Sequence, residues 1–123
     1  MSKEKNMTVQ DIIRTALAGE YEHIEDENTA TPHLLTWMNT LLADCYGAEQ
    51  NSRQADGKEL LTEIPTVHAM TDEVPYNDML LRFALPYGIE WKYAEQDLDA
   101  NRAIQYRAMY EDAKRNAGGA VWL

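Results

Sequence analysis

Residues 74–115 read VPYNDMLLRFALPYGIEWKYAEQDLDANRAIQYRAMYEDAKR, and this stretch decides the fold class. Leu80, Phe83, Ala84, Tyr87, Trp91, Ala94 and Leu98 recur at the spacing of one helix face, and Ala103, Tyr106, Tyr110, Ala113 and Ala117 mark a second. Between them, Asp97-Leu98-Asp99-Ala100-Asn101 is a tight acidic turn whose side chains can accept N–H bonds at the start of the second helix. The pattern predicts an antiparallel helical hairpin. Gly88, Ala84, Ala103 and Ala113 let the backbones approach, while Phe83, Tyr87, Trp91, Tyr106 and Tyr110, together with Leu41, are the expected buried bulk. Pro86 falls inside the first of these helices. It has no N–H and its ring meets the carbonyl four residues back, so a kink or break is expected at Leu85.

Towards the N-terminus, Thr31-Pro32 is a helix start signal, a capping hydroxyl followed by a proline whose missing N–H costs nothing there. Leu34, Leu35, Met38, Leu41, Leu42, Cys45 and Tyr46 then give a wide apolar face that ends at Gly47, with Trp37 beside it as core or as an intersubunit contact. An earlier short helix starts at Thr8, carries Val9, Ile12, Ile13, Ala16 and Leu17 on one side, and ends near Gly19. Residues 48–57 are polar without apolar periodicity and read as a loop; residues 58–75, marked by Pro65 and Pro75, read as an extended arm or short hairpin. The fold class expected is all-α: one domain over residues 1–123, a small bundle of about four helices closing on the C-terminal hairpin. A polar tail (1–7), a loop and extended arm (48–75) and a flexible apolar tail (118–123) complete it.

The chain carries 21 acidic against 11 basic residues, a formal charge of −10. No Lys or Arg occurs between Arg14 and Arg53, where Glu20, Glu22, Glu25, Asp26, Glu27, Asp44 and Glu49 lie, whereas the last helix bears Arg102, Arg107, Lys114 and Arg115. Such a chain repels phosphate backbones, which argues against direct DNA reading, and its polarity suits head-to-tail association of copies. Residues 20–28 read as a solvated acidic connector. A lone cysteine, Cys45, permits no internal disulfide and reads as a small buried hydrophobe. With no run of about 20 apolar residues and no signal-peptide core, the expectation is a soluble protein made in a cytoplasm, with no membrane contact. Phosphate-cradling loops, nucleophile elbows, cysteine pairs and paired histidines are lacking, and His23, His33 and His68 are scattered. No cofactor, no metal and no enzymatic activity are expected.

The arrangement of Thr8-Val9-Gln10-Asp11-Ile12-Ile13, then Leu34-Leu35-Thr36-Trp37-Met38-Asn39, a proline-marked connector, Asp72-Glu73-Val74-Pro75-Tyr76-Asn77-Asp78, Leu85-Pro86-Tyr87-Gly88-Ile89, and a last helix with Ala103, Tyr106 and Tyr110 resembles the head-to-tail connector, or adaptor, proteins of tailed bacteriophages. The likeness runs over most of residues 8–116. It implies a virion protein of the neck, assembled as a ring of commonly 12 copies between the portal and the stopper or tail-completion proteins. DNA would pass through the ring without specific binding during packaging and ejection.

Three groups of residues carry the expected contacts. Leu60, Leu61, Ile64, Val67 and Met70 are apolar residues in an arm that forms no long helix and are assigned to the subunit interface. Glu20, Glu22, Glu25 and Glu27 are assigned to the DNA channel. Val121, Trp122 and Leu123 follow the Gly118-Gly119 joint and are assigned to portal docking, a tryptophan flanked by aliphatic residues being a typical binding anchor. The competing reading is a small acidic regulator that imitates duplex charge and masks a basic partner.

Overall fold

The structure is a computed structural model that describes residues 7–17 and 27–118. Among these, the chain forms α1 (Val9–Leu17), α2 (Glu27–Ala55), a π-turn (Leu80–Ala84) running directly into α3 (Leu85–Gln96), and α4 (Ala100–Ala117). The all-α class expected from the sequence is what is found, with the single Thr8–Glu73 bridge as the only extended pairing among the described residues. α3 is the central element and packs against α1, α2 and α4. Its Leu85 and Ile89 are fully buried with Ile12, Leu34, Met38, Leu41, Leu42, Leu80 and Tyr110.

Three of the starts, those of α1, the π-turn and α4, have an identifiable chemical cause. Thr8 and Asp11 cap α1 reciprocally: the Thr8 hydroxyl accepts the Asp11 N–H at 3.2 Å and the Asp11 carboxylate accepts the Thr8 N–H at 3.1 Å. Asn77 accepts the Leu80 N–H at the head of the π-turn, and Asp99 accepts the Arg102 N–H at the head of α4. The end of α3 is a Schellman closure, with the Asp99 N–H on the Ala94 carbonyl and the Leu98 N–H on the Glu95 carbonyl. Leu98 sits in that closure at φ 59°, a left-handed position where glycine is the usual residue.

The structure corrects several expectations. α2 begins at Glu27, with Pro32 inside it, and passes Gly47 to end at Ala55, so residues 48–55 are helix rather than loop. The irregular segment is therefore residues 56–77. Pro86 produces no break; instead the Leu85 N–H reaches back five residues to the Leu80 carbonyl, and this wider turn loosens the ladder just ahead of a residue that offers no donor. The same turn rotates the helix face, so Leu81 and Leu85 go inward. Phe83, expected in the core on a constant 3.6-residue period, is 45% exposed. Leu41 and Tyr110 are buried as expected, while Tyr87, Trp91 and Tyr106 are half-buried. Leu98, counted on the apolar face, is 91% exposed. Trp37 finds a partner within its own chain, edge-on to Tyr93 at 5.0 Å.

Candidate docking surface

Residues 56–77 form a strap that runs back along α2, and the way it is held shows where the polar side chains of this protein are used. Asn39 donates to the Val67 carbonyl at 3.0 Å and accepts the Val67 N–H at 2.7 Å. Three turns further along, Gln50 makes the same two-point contact with Leu61, donating to its carbonyl and accepting its N–H, both at 2.9 Å. Each amide side chain replaces the strand neighbour that an extended backbone would otherwise need. Tyr46 adds a hydroxyl bond to the Leu61 carbonyl, and Tyr76 returns one to the Leu42 carbonyl at 2.6 Å.

Glu49 and Arg53 tie both ends of the strap to α2. Glu49 is 3% exposed, yet its carboxylate pairs with the Arg53 guanidinium and accepts both the backbone and side-chain N–H groups of Asn77. Arg53 also donates to the Glu59 and Pro75 carbonyls. At its far end, the strap accepts the Val9 and Gln10 N–H groups of α1 on the Asp72 and Met70 carbonyls, filling donors that a helix start leaves open. Asp72 also accepts the His68 and Ala69 N–H groups, which hold its carboxyl below the usual range.

A second polar cluster joins α2 to α4. Tyr110 donates to Asp44 at 2.5 Å and its hydroxyl lies 3.4 Å from the Cys45 sulfur, while Lys114 bridges Asp44 at 2.8 Å and Glu111 at 2.9 Å. Partial burial pushes the Asp44 carboxyl up, but the hydrogen bonds from Lys114 and Tyr110, with the Lys114 charge, outweigh it and hold Asp44 below the ordinary carboxylate value. Burial pushes the Cys45 thiol up to about 11, so it is a protonated core residue rather than a nucleophile. No group of three or more metal-ligating side chains occurs among the described residues, and no described helix is long and apolar enough to cross a membrane.

Two shallow grooves lie on the surface of the described residues, one lined by Asp44, Ala48, Asn51, Glu111, Lys114, Arg115 and Gly118 at the α2–α4 seam, and a second that is largely apolar. Met79, Phe83 and Tyr87 on the π-turn and α3 face Met109, Asp112, Ala113 and Asn116 on α4 across a shallow groove of about 250 Å³. Met79 and Phe83 are both exposed there, an arrangement that leaves aromatic and methionine surface in water. At the opposite end of the same hairpin, Leu98 and Ile104 are the most exposed large apolar side chains among the described residues.

Of the strap residues assigned to the subunit interface, Val67 is 2% exposed and packs into the core of its own chain, with Leu61 and Met70 packed against that core. Only Leu60 and Ile64 face outward. Glu20, Glu22 and Glu25 lie outside the described residues, as do Val121, Trp122 and Leu123; Glu27 opens α2, and its side chain is likewise outside them. Sequence reasoning missed the Asn39, Glu49, Gln50, Arg53 and Asn77 constellation. A signal for it exists: Asn39, Tyr46, Gln50 and Arg53 recur at i, i+7, i+11 and i+14, a polar stripe along one face of α2. Compared with known proteins, the chain is matched by no family model, no curated protein and no solved structure.

Proposed function

We propose that this chain is a structural subunit that works by docking to other proteins, and that it serves in the adaptor ring between the portal and the tail or stopper proteins of a tailed phage. The observation that carries the docking role is the groove of Met79, Phe83, Tyr87 and Met109, an aromatic and methionine surface left in water while Asn39, Glu49, Gln50 and Arg53 are occupied in holding the strap. The choice of a phage neck rests on the resemblance of residues 8–116. The helical hairpin with Tyr110 at its centre accords with it, as does the charge of −10, which disfavours adhesion to DNA in a channel.

The test is binding to portal-bearing capsids purified without their neck proteins. The full chain should co-sediment with these particles and not with capsids lacking a portal. Failure to bind portal-bearing particles, with retention instead on a basic protein partner, would replace this reading with that of the acidic regulator.

A further inference from the structure

We infer that residues 59–67 are a displaceable lid on α2, and that the row of Asn39, Tyr46, Gln50 and Arg53 beneath it is a docking face for an extended segment of another protein. The chemistry of the occupant is displayed by the strap that now fills the face. Asn39 and Gln50 each grip one residue through its backbone N–H and carbonyl, and Arg53 and Tyr46 add bonds to the Glu59 and Leu61 carbonyls. Contacts of this kind read an extended backbone and are blind to most side chains. Side chains matter at two positions, Val67, which is 2% exposed, and Leu61, which packs against the core. A partner segment therefore needs an extended backbone with aliphatic residues six positions apart, the spacing of Leu61 and Val67.

The lid is held separately from the rest of the strap. Residues 59–67 make no backbone-to-backbone hydrogen bond among the described residues, and Val67 alone among them is buried. Leu60 and Ile64 stand outward in water. On one side the chain turns at Gly57, exposed and in the left-handed region at φ 72°. On the other, the Asp72 carboxylate holds the His68 and Ala69 N–H groups, and the residues beyond have anchors of their own: Met70 and Asp72 on α1, Val74 and Tyr76 in the core, Asn77 on Glu49. Opening the lid breaks the grips at Glu59, Leu61 and Val67 and leaves those anchors in place. A segment with one buried side chain, held by side-chain bonds alone, belongs to the low-stability end of a fold. The docking face needs neither a portal nor a second copy, and so goes beyond the adaptor reading.

The probe is a synthetic peptide of residues 58–68, titrated into the full chain and followed by fluorescence anisotropy. In wild type the tethered lid competes at an effective concentration on the order of millimolar, so the peptide should bind weakly. Val67→Ala removes most of the lid's buried anchor and leaves the α2 face intact; it should bind the peptide at least about tenfold more tightly than wild type, because the open fraction rises. The same peptide with Val67→Asp should not bind. Adding Asn39→Leu to the Val67→Ala chain, or Gln50→Leu if circular dichroism shows the first unfolded, should remove binding again. Native-state amide exchange of wild type should show the Leu61 and Val67 amides opening together and sooner than those of Leu85 and Ile89. Equal affinity of wild type and Val67→Ala, binding that survives loss of the α2 amide, or exchange at Leu61 and Val67 only on global unfolding would each overturn the inference. Dimers of Val67→Ala in sedimentation, dissolved by the peptide, would give the face to the strap of a second copy and overturn the assignment to another protein. Tight peptide binding without affinity for portal-bearing capsids would uphold this face and remove the adaptor reading.

Discussion

Replacing Asn39 with leucine tests whether the strap is held by the side-chain amide of α2. Leucine keeps the branched shape and is a better helix former by a few tenths of a kcal/mol, but it removes both hydrogen bonds to Val67. At a net contribution of about 1 kcal/mol per bond, the loss is about 2 kcal/mol if the strap stays in place, and more if the Val67 N–H and carbonyl are left buried without partners. The alternative for the chain is to release the strap around Val67, which re-exposes a side chain that is 2% exposed and costs about 1.5–3 kcal/mol. Together the two routes predict a destabilisation of about 1.5–3 kcal/mol. Urea denaturation would measure it, and amide exchange would locate it: the Val67 and Leu61 amides should exchange faster while those of Leu85 and Ile89 in α3 change little. Because Asn39 and Val67 are undone by one event, Asn39→Leu combined with Val67→Ala should cost less than the sum of the single changes. A variant within about 0.5 kcal/mol of wild type, with unchanged Val67 protection, would show that the amide contact does not hold the strap.

Other outcomes follow from the same contacts. Tyr110→Ala should cost about 3–5 kcal/mol in thermal or chemical denaturation, whereas Phe83→Ala, on the open groove, should cost under about 1 kcal/mol. Adding a methyl at Gly88 would place it 2.8 Å from both Leu41 δ-carbons and 3.2 Å from the Tyr110 ring; Gly88→Ala should therefore lose on the order of 1 kcal/mol despite better helix propensity, and combining it with Leu41→Ala should give less than the sum of the two losses. Asp44 has a lowered folded-state pKa, so its stabilisation is fully present above its unfolded value of about 3.9 and disappears as pH falls through the folded value. The stability gap between wild type and Asp44→Asn should accordingly be constant near neutrality and close in acid. Cys45, buried with its thiol pKa pushed up to about 11, should resist thiol reagents in the native state and react only on unfolding.

The sequence by itself determined the α1 cap, the apolar faces of α1 and α2, the α3–α4 hairpin and the capping role of Asp99. All of these are local: they depend on side-chain period and on a cap a few residues from the donor it serves. Burial of Cys45 and Tyr110 was legible for the same reason. What only the tertiary structure decided involves partners distant in the chain. The second half of α2 looked like a loop because its functional face is polar, and it must be polar to satisfy the backbone of an extended strap 11 to 28 residues further on. Phe83 was misplaced because the π-turn ahead of Pro86 changes the period within a single helix, which a constant repeat cannot register. The groove was invisible for a related reason, since it is made by side chains about thirty positions apart that the hairpin brings face to face. Composition and period report what a residue prefers on its own segment, whereas the strap, the groove and the exposed tip depend on which segments the fold places against one another.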